Sequence, residues 1–335
     1  SSDSESSNND NKKKKVMNKK ITSFVAAALI CLSSISFAGD QNCSAECNPQ
    51  KAKVYFTSDI SPKGILKIYN AINSEMSGKI AIKCHTGEPH GPNIIPPAWV
   101  KEVQEAIPNS TIVETNVLYE SPRQTTEGHR ETLKTNGWTF SKVDIMDEDG
   151  TTFIPVNGGR QIKEISVGSH MLNYDSMFVL THFKGHAMGG FGGSIKNIGI
   201  GCADGKIGKD QIHHASEGWP MYEPFLERMV ESAKGTKDYF GNKIVFVNVL
   251  RNMSVDCDCA GVKAAEPKTR NIGIFGSTDI LAVDRASLVA VYRLPKNEAK
   301  DLRERMESRK AFRQITYAKE LNMGSCDYEI INLDK

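Results

Sequence analysis

Short apolar runs alternate along the chain with stretches whose apolar residues recur at helical spacing. The runs are KVYFT (53–57), KIAIKC (79–84), STIVE (110–114), SMFVLTH (176–182), KIVFVNVL (243–250) and NIGIFG (271–276). Shorter ones lie at 142–145 and 153–156, with a weak alternation over 162–167. β-Branched and aromatic residues dominate these runs, so they read as strands, and SMFVLTH and KIVFVNVL as strands buried on both faces. Between the first two, Ile65, Ile68, Tyr69 and Ile72 share one face of a helix. Ser61 caps its first turn and Pro62 fits its start. Helices also fit Pro96–Ile107, Glu127–Asn136 with Gly137 just past its end, Met221–Ala233, and the segment from Thr278 to Tyr292. A charged helical pair over 302–321 ends the pattern. Strand alternating with helix predicts an α/β fold, a mixed or mostly parallel sheet flanked by helices. Two α/β lobes around a central cleft, with a boundary near 158–168, are one arrangement of it.

The N-terminal residues break this rhythm. Residues 1–16 are polar and of low complexity, which reads as a tag or a disordered leader. From Met17 a basic start (Lys19, Lys20), an apolar stretch from Phe24 to Leu32 and small residues at Ser36 and Ala38 read as a Sec-type signal peptide over 17–38, cut after Ala38. The apolar stretch is short for a membrane span, and no other long one follows, so no span is expected in the mature chain. A short segment, 39–52, then leads into the main α/β domain at 53–335. The expected location is periplasmic or secreted.

Composition narrows the chemistry. The net charge of +2 over 335 residues argues against a nucleic-acid binder. Of eight cysteines, Cys31 would leave with the signal peptide, and the odd remainder does not suggest a full disulfide framework. Cys43 and Cys47 could pair locally or stay free; they lack the CxxC spacing of a redox motif.

Ligands of open α/β sheets bind beyond the carboxyl ends of strands. Lys83, His85, Glu88 and His90 stand at or after KIAIKC, and His182, Lys184 and His186 at or after SMFVLT. Asp256, Cys257, Asp258 and Cys259 follow KIVFVNVL, and Asp279 and Asp284 follow NIGIFG. Polar and metal-capable residues therefore recur where one convergent site would lie. The Cys-x-Cys of DCDC suits one metal ion or cluster, because a disulfide at that spacing is strained. Cys202 is a third candidate ligand, and a histidine, with His213 and His214 soon after it, could be the fourth; a lone cysteine in a glycine-rich turn is also simply structural. The stretch LTHFKGHAMGGFGGSIKN matches neither a phosphate loop nor a dinucleotide fingerprint. Its glycines can still offer backbone N–H groups to an anion, with Lys184 and Lys196 adding charge, so it reads as an anion-friendly loop. Glycine disfavours a helix over His182 and His186, so both read as pocket residues. Arg123 suits a carboxylate or phosphate, or else lies on the surface beside a capped helix.

Taken together, IKCHTGEPHG, HFKGHAMGGFGGSIKNIGIGCA, DCDC and GIFGSTDILAVDRASL resemble the DUF362 family over roughly 53–291. By position, the resemblance carries over His182, Lys184, His186, Lys196, Asn197, Cys202, Cys257, Cys259 and Asp284. It implies a shared core and an iron–sulfur or other metal centre, and names no substrate. Members often carry a ferredoxin-like module after the region matching IHHA; residues 216–235 contain no cysteine, so that module is absent here.

The expectation is an exported metalloprotein with a redox role. Cys202, Cys257 and Cys259 would hold an iron–sulfur cluster or a single zinc or iron ion. His182, Lys184 and His186 would do chemistry on a small anionic ligand bound by Lys83, His85, Glu88, Arg123, Lys196 and Asn197, with a redox partner protein. Sec export suits a single ion better than a cluster. The alternative is a non-catalytic periplasmic binding protein for a carboxylate or phosphate ligand, in which the cysteines are dispensable.

Overall fold

A computed structural model describes residues 51–335 apart from 216 and 221. The tag, the signal peptide, Cys43 and Cys47 lie outside the described residues. The strands are β1 (Ala52–Thr57), β2 (Ile80–Lys83), β3 (Ser110–Glu114), β4 (Asp144–Ile145), β5 (Thr151–Pro155), β6 (Glu164–Gly168), β7 (Ser176–His182), β8 (Lys184–His186), β9 (Gly190–Gly192), β10 (Ile244–Leu250), β11 (Gly273–Ser277) and β12 (Tyr328–Asn332). Eight of them form one sheet in the order β12-β1-β11-β10-β7-β2-β3-β4. β11 is antiparallel to both neighbours, and every other pairing is parallel. The expected mixed, mostly parallel α/β sheet is therefore what forms.

β7 and β10 are central and every residue of each is buried, which is why their sequences are apolar throughout rather than alternating. The pleat sends their side chains to opposite faces. Met177, Val179, Ile244 and Phe246 join a core with Phe225 and Met229 of the helix Glu223–Phe240. Phe178, Leu180, Val245 and Val247 join a second core with Ile65, Ile68 and Ile72 of the helix Pro62–Ile72. Ser61 caps that helix through Gly64 N–H, and Asp279 caps the helix Ile280–Arg293 through Ala282 N–H. The segment 158–168 runs into the β5–β6 hairpin, whose Ile154, Ile165 and Val167 belong to the first of these cores.

Two segments differ from the sequence pattern. The chain does not end on its charged helical pair: β12 follows and pairs in parallel with β1, from Ala52↔Tyr328 to Phe56↔Asn332. As an edge strand it is only half-covered, so its apolar signal is weak. The glycine-rich stretch is also no open loop. It forms the β8–β9 hairpin and then a helix, Ser194–Gly201. The anion at that helix start is the protein's own Asp284, whose carboxylate accepts from the N–H groups of Ser194 (2.8 Å) and Ile195 (2.9 Å). A Cβ on Gly193 would lie 2.5 Å from Asp284 Oδ1, so only glycine lets the carboxylate reach these donors. Burial pushes the Asp284 carboxyl up to about 6, against the pull of those N–H groups and of Asn248.

Candidate functional site

β10, β7, β2 and β3 are adjacent and parallel, so their carboxyl ends open on one edge of the sheet. A cavity of about 270 Å³ lies there. Lys83, Glu114 and His182 are the last residues of β2, β3 and β7. The loop after β10 brings in Cys257, Asp258 and Cys259, and the β8 hairpin brings Lys184 and His186. Lys196 and Asn197 come from the helix Ser194–Gly201, and Lys209 and His213 from the short helix Gly208–His213.

On one wall the charges are neutralised within the protein. Glu114 takes Lys83 Nζ at 2.7 Å and Arg123 Nη2 at 2.6 Å. Burial alone would raise its pKa, but these two cations more than offset that and hold the carboxyl well below the usual range. Arg123 also gives Nη1 to Glu88 (3.0 Å) and Nε to His129 (3.3 Å). Glu88 accepts further from Tyr119 and Ser121. Lys83 completes its set with Cys84 O and Asn197 Oδ1, each at 3.2 Å. Asn197 in turn donates to Thr181 Oγ1 and to the carbonyls of Lys83 and Leu180. Lys83, Arg123 and Asn197 therefore line the cavity with their polar atoms occupied, and Glu88 reaches the site through Arg123. Arg123 clamps two of the protein's own carboxylates instead of offering a fork to a ligand. Glu114 obeys the same strand-end rule as Lys83 and is the hub of this wall.

A second wall is built around sulfur. Cys257 Sγ accepts from Cys259 N–H at 3.5 Å and from Lys196 Nζ at 3.7 Å. Hydrogen bonding from the Cys259 thiol lowers the Cys257 pKa far below its ordinary value; burial opposes this, while Lys196, Lys184 and His85 add to it. The Cys259 thiol is pushed up by the same sharing and by burial, so one proton serves the pair. Asp258, between them, holds Lys184 Nζ at 2.9 Å and His182 Nδ1 at 2.9 Å. His182 Nε2 faces the carbonyl of Arg251 at 2.7 Å. With both ring nitrogens engaged, His182 fastens the end of β7 to the Cys257 loop. Gly192 separates the two lysines: a Cβ there would meet Lys196 Cδ at 3.2 Å and Lys184 Cε at 3.7 Å.

A nitrogen of His186 and the sulfurs of Cys257 and Cys259 all lie within 4.8 Å of one another, a group able to hold a metal. The two sulfurs fit a thiophilic ion, and the lowered pKa of Cys257 favours its thiolate. His186 fits less fully. Its Nδ1 accepts from Gly189 N–H (2.8 Å) and Met188 N–H (3.2 Å), which puts the ring proton on Nε2. Burial, with Lys196 beside it, holds the ring neutral. A cluster ordinarily needs four thiolates, and this donor set supplies two. Cys202, expected as the third sulfur, belongs to the core and caps the helix Ser194–Gly201; burial raises its thiol to about 11. His186 takes that third place. His85 lies on the cavity wall with Nδ1 bound to Gly87 N–H.

Sequence reasoning reached His213 only as a fourth ligand and missed Lys209. Both line the cavity from one face of their helix, four residues apart. The signal was available in GKDQIHHA, but a six-residue helix shows no periodicity to mark a face.

The family model "Domain of unknown function (DUF362)" matches residues 80–289. The chain belongs to the DUF362 family. The matched residues run from β2 to the helix Ile280–Arg293 and so include both walls of the cavity. No curated protein matches the chain in sequence. Two solved structures are similar to this DUF362 chain. The lactate racemase apoprotein from Thermoanaerobacterium thermosaccharolyticum is 14% identical, with a TM-score of 0.41 over 73% of this chain and 58% of that one. A protein from Thermotoga maritima is 12% identical, with a TM-score of 0.42 over 69% of this chain and 58% of that one. The DUF362 chain thus spans little more than half the length of either. Among the described residues no helix is long and apolar enough to cross a membrane.

Proposed function

We propose that this cavity binds a small carboxylate- or phosphate-bearing ligand beside a single thiophilic metal ion, zinc or iron, in an exported protein. Cys257 and Cys259 would hold the ion, with His186 as a third donor once its ring proton moves. The ion would supply a Lewis acid or, as iron, one-electron exchange with a redox partner protein. Lys184 and Lys196 would orient the anion, and the walls of the cavity would exclude water. The observation that carries this reading is the meeting of two sulfurs with two lysines at the carboxyl edge of the sheet. Metal content and the visible spectrum of anaerobically purified protein test it. Stoichiometric zinc or iron is expected in the wild type and its loss in Cys257→Ser/Cys259→Ser; a wild type free of metal ends the metal half. Export predicts a mature chain beginning at Gly39.

One observation favours a second reading, a non-catalytic binding protein. Lys196 and Cys259 N–H already balance the Cys257 sulfur without any metal. Unchanged anion affinity in Cys257→Ser/Cys259→Ser would decide for it.

A further inference from the structure

Lys209 is 4% exposed and lines the cavity, yet it belongs to neither wall described above. Its Nζ donates to Thr115 Oγ1 at 2.6 Å and to the carbonyl of Ala203 at 2.7 Å. The Thr115 hydroxyl spends its own proton on Gly201 O, so toward Lys209 it can only accept. These two acceptors satisfy the two hydrogens of a neutral amine and leave the nitrogen lone pair unused. Among the described residues no carboxylate makes an ion pair with it. Asp147, the nearest in effect, spends its oxygens on the N–H groups of Asn116 and Gly205. One turn on, His213 stacks on Phe225, and its buried Nδ1 has no hydrogen-bond partner. His213, Lys196 and Lys209 all line the cavity, and His213 lies in the field of both lysines.

We propose that Lys209 is a reactive amine that forms an imine with the carbonyl carbon of a small oxo acid bound in this cavity. The inference rests on the cavity as an anion site: Lys196 takes the carboxylate while the carbonyl meets Lys209 Nζ. The new C–N bond forms, the carbonyl C–O bond breaks, and the oxygen leaves as water with the two amine protons. No oxidant or reductant is needed. Desolvation, the condition that activates such lysines, brings Lys209 down to about 8; Asp147 and Glu114 oppose this, and Lys83 and Arg123 reinforce it. A useful fraction of the amine is therefore neutral near pH 7.

The test is reductive trapping. The full protein is incubated with pyruvate or glyoxylate and sodium cyanoborohydride, then read by intact mass and peptide mapping. One carboxyalkyl addition is expected, on the peptide holding Lys209. Its rate should rise with pH through about 8. The addition should vanish in Lys209→Arg, which keeps the charge, and persist in Cys257→Ser. No addition, or addition only at other lysines, overturns the proposal, and mapping of the wild type decides this even if the variant misfolds. Calorimetry with acetate, which has no ketone or aldehyde carbonyl, separates the two readings. Acetate binding without trapping at Lys209 leaves the anion site and removes the imine. Trapping at Lys209 without acetate binding does the reverse.

Discussion

The Glu114 wall and the rest of the cavity lining use their buried charges differently. At Glu114, each cation has a carboxylate and each carboxylate at least two donors: Lys83 and Arg123 on Glu114, Arg123, Tyr119 and Ser121 on Glu88. Elsewhere on the cavity lining Lys184 and His182 share Asp258, but Lys196 has a sulfur for its partner, Lys209 two neutral oxygens, and His213 Nδ1 nothing. Buried charges that saturate each other hold a shape, because no ligand can better the partners they have. Buried polar groups left short of a partner raise the energy of the empty site, and a ligand that completes them binds for that reason. The Glu114 wall is scaffold, and the lining around Lys196, Lys209 and His213 is where chemistry belongs.

The largest test of that contrast is Glu114→Gln. It keeps the shape but strands Lys83 and Arg123, and should cost about 3–5 kcal/mol in urea unfolding. A loss below about 1 kcal/mol would mean the two cations have other outlets, and the walls would not differ as described.

The next test uses pH. His213 sits at about 3 when folded against 6.5 when unfolded, chiefly through burial, with Lys196 and Lys209 adding to it. A base with a depressed folded pKa gives stability that is whole above the unfolded value and drains as pH falls toward the folded one. Wild-type stability should therefore fall from pH 6.5 downward, by up to a few kcal/mol from this residue alone. His213→Phe keeps the ring stack on Phe225 and should reduce the pH slope of stability between about 6.5 and 4.5 by about one proton. Equal slopes would show that His213 is already charged or solvated in the native state.

The smallest effect is expected from Gly192→Ala. Its Cβ would press on the stems of Lys184 and Lys196, not on backbone. Stability should change by less than about 1 kcal/mol, while affinity for acetate or phosphate should drop several-fold in calorimetry. Unchanged affinity would remove the two lysines from the anion site.

Much of the scaffold was legible along the chain because its cause is local. SMFVLTH is apolar throughout because β7 is covered on both faces, and Ser61 and Asp279 announce helix starts because capping needs only the next few residues. The strand-end rule put Lys83, His85, His182, Lys184 and Cys257 in one neighbourhood. It could not tell spent groups from available ones. Arg123 looked free because Glu88 and Glu114, its partners, lie 35 and 9 residues away. The glycines of 189–193 looked like an anion cradle because Asp284 is 90 residues from Ser194. Cys202 looked like a ligand because it follows a ligand-rich stretch, whereas a helix carries it into the core.

By itself, then, the sequence determined the α/β class, every strand but β8, β9 and β12, the family, and the short inventory of residues that reach the carboxyl edge. Only the tertiary structure decided the order β10-β7-β2-β3, and with it which strand ends are neighbours. It also decided that His186 rather than Cys202 stands with the Cys257–Cys259 pair, and that Lys209 faces the cavity without a counter-ion. The physical reason is range. Hydrophobic periodicity and capping act over a few residues, while the pairing of buried charges depends on segments brought together only when the sheet has closed its order.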